Sequence, residues 1–373
     1  MISTRSDATE IDVAIVGGGV VGLAASLATA RRGLGVVLLE SERVLGHGTS
    51  TRNSGVIHAG LYYPPGSLKA ELCVEGRDRL YAFCAEHAVP FAKPGKLVVA
   101  RAESEVAALE ALHARAIGNS VTDVMLVDRA FIAAREPYAG GVAALWSPSS
   151  GIVEPEALIR TLARLAQQAG AHLLAASRVI RAHPQPAAIE LETDAERITA
   201  RVVVNAAGLY ADQVSALVGG EAFCIYPCRG EYAELAPAAR SRVRGLLYPV
   251  PHIAGHSLGV HLTRTTRGSV LLGPTVRYQD RRDDYEHDRL PLEAFLEPAR
   301  ALLPSLTLKD LQPGGTGIRA KLCPPHAEFA DFLIRRDRIQ PRVVHAAGID
   351  SPGLTSSLAI AERVAALVAD TLN

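Results

Sequence analysis

The chain has 373 residues, and its 39 lysines and arginines balance its 39 aspartates and glutamates. This length exceeds the range in which a single hydrophobic core grows, which indicates one large or two intergrown domains. The balanced charge excludes binding to nucleic acid or to an anionic membrane through the net charge of the protein. The five cysteines are odd in number and include no C-x-x-C pair, a pattern that favours a reducing, cytoplasmic location over a disulfide framework.

The first segment of the chain has the pattern of a β-α-β unit. The apolar strand IDVAIV leads into a glycine turn, the helix VGLAASLATARRG and a second strand, GVVLLE. Residues 13–30 carry no charge, which raises the alternatives of a membrane helix and a signal peptide. Acidic residues precede this stretch and glycines occupy its centre, so we predict a buried strand, turn and helix and no transmembrane segment.

The later segments alternate between two patterns. EPEALIRTLARLAQQAG predicts a helix with Pro155 at its first position and Gly170 just past its end, and ITARVVVNAAG predicts another strand of a parallel sheet. Between residues 223 and 319, short alternating strands with many prolines and glycines predict an antiparallel sheet. The final residues, HAAGIDSPGLTSSLAIAERVAALVADTLN, return to the strand, glycine loop and helix of an α/β protein.

We therefore predict an α/β protein, α+β overall, in which a Rossmann-like nucleotide-binding domain carries an inserted substrate domain with a largely antiparallel sheet. The nucleotide-binding domain is discontinuous in this prediction and comprises residues 1–82, 150–222 and 325–373. The substrate domain, which would cap the site, comprises residues 83–149 and 223–324.

Three glycines between the first strand and the first helix match the dinucleotide-binding fingerprint G-x-G-x-x-G. Gly17 permits the tight turn, Gly19 lets a pyrophosphate approach the helix N-terminus, and Gly22 allows close packing of helix on strand. Glu40 ends the second strand, where a carboxylate would accept hydrogen bonds from a ribose and repel a 2′-phosphate. The pattern predicts a dinucleotide site but does not choose between NAD and FAD. The adjacent residues predicted to contact the same nucleotide are Val20, Val21 and Ser41.

The segment that follows the fingerprint is more specific for one protein family. GHGTSTRNSGVIHAGLYYPPGSLKAELCVEG, residues 46–76, and GIDSPGLTSSLAIAE, residues 348–362, place polar residues and glycines inside apolar runs. Together with SPSSGIVEPEALI, CRGEY, LGVHLTR, LLGPT and GIRAKL, they resemble the D-amino-acid-oxidase-like (DAO) flavoprotein superfamily, and within it the L-2-hydroxyglutarate dehydrogenase/oxidase family. The resemblance implies an FAD-dependent oxidoreductase that moves a hydride from a small 2-hydroxy carboxylate, first L-2-hydroxyglutarate, to flavin N5. It is weakest over residues 275–306, where substrate length could be decided.

The same resemblance implies which residues hold FAD, without a covalent bond. A polar loop would donate to the pyrophosphate, the ribityl chain and the flavin edge, and Val179 would hold the adenine end through its backbone. The N-terminus of the last helix would favour electron density at the flavin N1 to C2=O edge. A solvated loop and ordinary close packing are the alternatives. The implied residues are Thr49, Ser50, Arg52, Asn53, Ser54, Val179, Ala206, Ala207, Gly208, Arg319, Gly348, Ser351, Gly353, Leu354 and Thr355.

Two histidines are candidates for the base that accepts the hydroxyl proton, since imidazole titrates near neutral pH. His58 is the first, because the glycine and small residues beside it leave room for a substrate. His261 is the second, on the face of the strand LGVHLTR opposite Leu258, Val260 and Leu262. The alternative for each is a structural histidine or one that contacts only the cofactor.

A dicarboxylate substrate needs two cationic anchors, and the planar fork of arginine matches a carboxylate with two hydrogen bonds. Arg229 and Arg319 stand in apolar or glycine-rich surroundings inside the family-like segments. We predict that they hold the carboxylates, with help from Lys96 or Lys321. A structural salt bridge is the alternative for each arginine.

Several alternatives stay open at this point. Fold alone does not separate 2-hydroxy acid oxidation from oxidation of a glycine-like or sarcosine-like amine, or of glycerol 3-phosphate, and a non-catalytic electron-transfer subunit is the alternative from another class. Electrons would leave reduced flavin for oxygen, a quinone or a carrier protein. We expect no metal site and no nucleic acid partner, and peripheral association with the inner face of a membrane is an alternative to a purely cytoplasmic location.

Overall fold

The computed structural model describes residues 9–251 and 259–373, so residues 1–8 and Leu258, both part of the predictions above, lie outside the described residues. The helices are α1 Val20–Ala30, α2 Leu68–Glu86, α3 Val106–Gly118, α4 Arg129–Arg135, α5 Pro155–Gln168, α6 Ala211–Leu217, α7 Glu293–Arg300 and α8 Gly353–Leu372. The strands are β1 Thr9–Val16, β2 Val36–Leu39, β3 Val56–Ile57, β4 Phe91–Ala92, β5 Lys96–Ala100, β6 Met125–Asp128, β7 Ala143–Ser147, β8 Gly151–Val153, β9 His172–Leu174, β10 Val179–Pro184, β11 Ile189–Thr193, β12 Arg197–Asn205, β13 Tyr226–Leu235, β14 Leu246–Pro249, β15 His261–Arg264, β16 Val270–Gly273, β17 Arg277–Tyr278, β18 Leu311–Lys321, β19 Leu333–Arg336 and β20 Val343–Ala347.

The first sheet has a parallel centre. Strands β9, β2, β1, β12 and β20 follow one another in that order and run parallel, while β10, β11 and β19 extend the sheet by antiparallel pairing. Helix α1 is buried along its whole length, which its uninterrupted apolar and small residues require. It packs against α5 and α8 on one face of the sheet. The turn between β1 and α1 therefore lies at the carboxyl edge of the parallel strands, where nucleotides bind in this kind of sheet.

The second sheet is largely antiparallel and takes nine strands from the described residues. Its order is β17-β13-β16-β15-β14-β5-β7-β6, with β18 also paired to β13, and β14 with β5 is its one parallel pair among the described strands. In the long β13–β18 pair, Cys228 lies opposite Arg319 and Arg229 lies opposite Ile318. Because side chains alternate along a strand and paired residues share a face, Arg229 and Arg319 point to opposite sides of this sheet.

A small third sheet positions the loop that carries the first candidate base. Strand β8 pairs with both β3 and β4, and β3 is only two residues long. His58 follows β3 directly, so its backbone is held at a fixed place beside the first turn of α8, where Thr355 accepts a hydrogen bond from the His58 N–H at 3.0 Å.

The fold class predicted from the sequence is confirmed: a Rossmann-like parallel sheet with helices is combined with a largely antiparallel second sheet. The first sheet takes its strands from residues 9–39, 172–205 and 333–347, and the domain boundaries given above stay a prediction. None of the helices in the described part of the chain has the length and apolar character needed to cross a membrane.

Candidate active site

A single cavity of about 730 Å³ brings most of the predicted site residues together. It is lined by side chains and backbone from both large sheets and from the first turns of α1 and α8. Four predicted residues do not line it: Gly22, Lys96, Arg229 and Gly348. Those that do are Gly17, Gly19, Val20, Val21, Glu40, Ser41, Thr49, Ser50, Arg52, Asn53, Ser54, His58, Val179, Ala206, Ala207, Gly208, His261, Arg319, Lys321, Ser351, Gly353, Leu354 and Thr355.

The glycine turn fits a dinucleotide for steric reasons. Gly17 has a φ of +114°, and a Cβ there would overlap the carbonyl oxygen of Ala206, so this backbone requires glycine. Gly22 lies outside the cavity because it packs on Gly17, whose carbonyl oxygen a Cβ on Gly22 would overlap. The fingerprint thus leaves backbone N–H groups at the start of α1 facing a concave surface, which suits the pyrophosphate of FAD.

Glu40 stands next to this turn, as the fingerprint predicts. One carboxylate oxygen of Glu40 accepts a hydrogen bond from the Gly18 N–H at 2.6 Å, and the other accepts from the Glu42 N–H at 2.8 Å. These contacts fix the carboxylate at the cavity wall, where it can accept hydrogen bonds from ribose hydroxyls.

The polar loop between β2 and β3 is held largely by its own side chains. The Asn53 amide donates to the Ser50 carbonyl at 2.8 Å and its oxygen accepts from the Gly55 N–H at 2.8 Å. Ser50 in turn accepts a hydrogen bond from the Val20 N–H at 2.9 Å, which ties the loop to the start of α1. Thr49 donates to the Ile318 carbonyl at 2.8 Å. Asn53 therefore shapes the loop, while the loop as a whole lines the cavity.

His58 lines the cavity and is the first candidate for the base. Its Nε2 lies 3.3 Å from the Ser351 hydroxyl, and its Nδ1 is buried with no hydrogen-bond partner among the described residues. Burial holds the pKa of His58 well below its usual value, and the electrostatic effects of Lys96 and of His261 lower it further. The imidazole is therefore neutral at neutral pH and has a lone pair to offer.

His261 is also in the form that can accept a proton. Its Nδ1 lies 3.0 Å from the Gly259 carbonyl oxygen, and a carbonyl only accepts, so Nδ1 carries the hydrogen and Nε2 is left as the acceptor. The ring stacks on Tyr248 with a centroid distance of 3.8 Å. Burial, followed by Lys96, lowers the pKa of His261 to about 3, against a smaller raising effect of the Gly259 hydrogen bond.

Two cationic centres lie in the same cavity. The Arg319 guanidinium donates to the Thr275 carbonyl at 3.2 Å, and no carboxylate in the described ranges forms an ion pair with it. At the second centre, Lys69 Nζ lies 2.6 Å and Lys321 Nζ 4.0 Å from the carboxylate of Asp350. Two ammonium groups thus share one carboxylate, which leaves an excess of positive charge at this end of the cavity.

The predicted substrate contact of Arg229 is wrong. Its side chain is 1% exposed, and it forms an ion pair with Glu231 at 2.9 Å. Its two terminal nitrogens also donate to the carbonyls of His287 and Asp288, at 2.7 and 3.1 Å. The strand register turns Arg229 away from the cavity, so the structural salt bridge, the alternative raised above, is the one that the structure shows. Gly348, which was predicted to contact FAD, instead forms the turn before α8 with a φ of +66°.

Some residues of the cavity wall were missed by the sequence analysis. Tyr232 and Tyr248 line the cavity from β13 and β14, but an aromatic residue in a strand has no signal that separates a pocket from a core. Gly317 matters for a different reason: a Cβ there would overlap the carbonyl oxygen of Arg52. Asp350 lies inside the segment 348–362, but no sequence pattern indicated that it forms ion pairs with Lys69 and Lys321.

A separate polar cluster lies outside the cavity. The ligand atoms of Glu221, Asp337 and His345 come close enough together to hold a metal ion. Protein donors already occupy these carboxylates, because His345 Nε2 lies 2.6 Å from Asp337 and Arg335 pairs with Glu221 at 2.5 Å. The cluster is therefore explained as a buried hydrogen-bond network.

Comparisons with known proteins agree with this site. A family model described as FAD dependent oxidoreductase (DAO) matches residues 12–367. The L-2-hydroxyglutarate dehydrogenase of Indibacter alkaliphilus is 33% identical over 95% of this chain and 98% of its own length. The mitochondrial L-2-hydroxyglutarate dehydrogenase of Homo sapiens is 32% identical over 97% and 89%.

Solved structures show the same likeness. The FAD-bound, dithionite-reduced L-α-glycerophosphate oxidase from Mycoplasma pneumoniae has a TM-score of 0.89 and 27% identity and covers 96% of this chain and 95% of its own. The glycine oxidase from Geobacillus kaustophilus, at 23% identity and a TM-score of 0.83, covers 97% and 95% and shares the fold. The family match confirms the predicted cofactor, FAD. The chain, over nearly its whole length, belongs to the DAO family of FAD-dependent oxidoreductases.

Proposed function

We propose that this protein oxidises a small 2-hydroxy dicarboxylate, first L-2-hydroxyglutarate, to the 2-oxo acid. The observation that carries the proposal is the pairing, in one cavity, of two neutral imidazoles with two centres of excess positive charge. The relatives named L-2-hydroxyglutarate dehydrogenase, at 32% and 33% identity over almost their full lengths, support the choice of substrate.

In this proposal FAD and the cavity residues have separate roles. FAD, when bound without a covalent link, supplies the hydride acceptor. His58 or His261 takes the hydroxyl proton, since each is neutral and has a nitrogen lone pair. Burial makes both weak bases, but a carboxylate substrate beside the ring favours the charged imidazolium and offsets that penalty.

Binding of a dianion follows from the cations. Arg319 has two N–H groups on a planar fork for one carboxylate, and no described carboxylate competes for it. Lys69 and Lys321 together carry one charge more than Asp350 neutralises, so the second carboxylate can lie beside them. A substrate with one carboxylate would leave one of these cationic centres without a compensating anion.

A substrate panel on the FAD-loaded protein tests the proposal. We expect the highest kcat/KM for L-2-hydroxyglutarate, and a loss of about 10- to 100-fold for L-2-hydroxybutyrate, which lacks the second carboxylate and its charged hydrogen bonds. Oxygen, a quinone or a carrier protein is the proposed acceptor, so an artificial electron acceptor is added to make the assay independent of it. If the protein oxidises glycine or sarcosine but none of the 2-hydroxy acids, the proposal is wrong.

A second candidate, oxidation of glycerol 3-phosphate, is favoured by the likeness to the glycerophosphate oxidase, which at 27% identity exceeds a likeness of fold alone. A phosphate dianion could occupy the same cationic centres. The panel therefore includes glycerol 3-phosphate, and faster turnover of this compound than of L-2-hydroxyglutarate would establish the second candidate in place of the first.

Replacing each histidine by glutamine assigns the base. Loss of general base catalysis costs about 100- to 10,000-fold in kcat, so we expect one of His58→Gln and His261→Gln to lose that much while the other keeps most of its rate. The FAD absorbance of each variant is the control for an intact site. Equal, small effects of both changes would contradict a histidine base.

A further inference from the structure

Lys96 is a buried amino group that has no counter-ion among the described residues. The side chain is 0% exposed, and its Nζ has no hydrogen-bond partner in the described part of the chain. Its contacts are the faces of two aromatic rings, Tyr248 at 4.1 Å and Tyr62 at 5.3 Å from Nζ to the centroid. An unpaired buried charge is costly for the folded state, and cation–π contacts compensate only part of that cost.

The position of Lys96 is directly behind the cavity wall. It begins β5, which pairs with β14, and β14 pairs in turn with β15, the strand of His261. Tyr248 lines the cavity from β14 and carries the stacked His261 ring. Lys96 is therefore separated from any ligand in the cavity by one layer of aromatic side chains, and neither Tyr248 nor Tyr62 can carry a compensating negative charge while its hydroxyl is protonated.

The groups that face Lys96 are all neutral at neutral pH. They are Cys73 from α2, His58 and Tyr62 from the loop after β3, Tyr248 from β14 and His261 from β15. Burial raises the pKa of the Cys73 thiol to about 12, so it supplies no thiolate. Burial also lowers the pKa of Lys96 to about 7. Near neutral pH the protonation of Lys96 is thus open to change by a charge in the cavity.

We propose that Lys96 couples anion binding to proton uptake: when a carboxylate ligand enters the cavity, the Lys96 amine takes a proton from solvent and becomes the cation that faces it. The inference rests on the proposed function in that the ligand is a carboxylate. An anion on the order of 8 Å away, in surroundings of effective dielectric constant about 20, shifts the protonation equilibrium of Lys96 by about 30-fold. Ligand affinity is therefore greatest below pH 7 and falls as pH rises above it, because the amine must then be protonated on binding.

Calorimetric titration of the FAD-loaded, oxidised protein with 2-oxoglutarate, the product of the proposed reaction, tests this coupling. At pH 7 to 8 we expect the binding heat to depend on the ionisation enthalpy of the buffer, which corresponds to net proton uptake, and at pH 5.5 we expect the uptake to vanish. Lys96→Met is expected to abolish the uptake and to weaken binding at pH 6 by about 30-fold. Lys93→Met is the matched control, because Lys93 is exposed and stacks on Tyr81 outside the cavity.

The outcomes separate the two proposals. Binding of 2-oxoglutarate without buffer-dependent heat in the unmodified protein overturns the coupling and leaves the proposed function intact. Uptake that persists unchanged in Lys96→Met also overturns it, since another group would then take the proton. Absence of any binding by 2-oxoglutarate, while the flavin remains in place, contradicts the dicarboxylate function itself. The first of these results needs no variant, so it holds even if Lys96→Met does not fold.

Discussion

Replacing Arg229 by methionine is expected to destabilise the protein without weakening substrate binding. The Arg229–Glu231 pair is almost completely buried, with side chains 1% and 0% exposed and a separation of 2.9 Å. Methionine leaves the Glu231 carboxylate with the Leu290 N–H at 2.8 Å and with Arg289 at 3.7 Å. Removing one partner of a buried ion pair costs about 3–5 kcal/mol, a large part of the roughly 5–15 kcal/mol by which a typical domain is stable.

The assay is denaturant unfolding of the FAD-loaded protein, combined with the KM of the folded enzyme for L-2-hydroxyglutarate. Arg277→Met is the control, because Arg277 lies opposite Arg229 on β17 but pairs with Asp288 at the surface, where an ion pair contributes at most about 1 kcal/mol. Arg319→Met should show the reverse pattern, a KM raised at least 10-fold with a smaller loss of stability. An Arg229→Met protein of unchanged stability and raised KM would refute the structural assignment of Arg229.

Two further changes test the frame around the site. Gly317→Ala should reduce FAD retention, because a Cβ there overlaps the Arg52 carbonyl and displaces the polar loop, whereas Gly315→Ala, with open space at its Cβ, should not; equal flavin content in both variants would contradict this. Asp337→Asn should lower the free energy of unfolding by about 1–3 kcal/mol. Burial alone would raise the pKa of Asp337, but backbone N–H donors and His345 outweigh it and hold the pKa below the usual value. This stabilisation is present above about pH 4 and is lost as pH falls through the folded pKa of Asp337. The difference in free energy of unfolding between the variant and the unmodified protein should therefore disappear when unfolding is measured at progressively lower pH.

The parts of the fold that follow from local chemistry were predictable. The glycine turn, Glu40 and α5 depend on residues close together in the chain, since a positive φ, a strand end and a proline at the first helical position are local requirements. The resemblance of the segment after the fingerprint then named the cofactor and most of the cavity wall. The same segment placed His58, the first candidate base, in the cavity.

The remainder depends on contacts between distant strands. Arg229 and Arg319 have similar local surroundings in the sequence, and only the β13–β18 register turns one into the sheet core and the other into the cavity. Lys96 is surrounded by aromatic rings from the loop after β3 and from β14, and the parallel pairing of β5 with β14 joins segments 150 residues apart. A single sequence contains no signal for such pairing.

The proposed reaction is tested most directly by an anaerobic titration of the purified, FAD-loaded protein with L-2-hydroxyglutarate, with the absorbance of oxidised flavin as the readout. We expect stoichiometric bleaching of that band and the appearance of 2-oxoglutarate, with recovery of the colour when an electron acceptor is added. A flavin band that persists with L-2-hydroxyglutarate but bleaches with an amine or with glycerol 3-phosphate would contradict the proposed reaction.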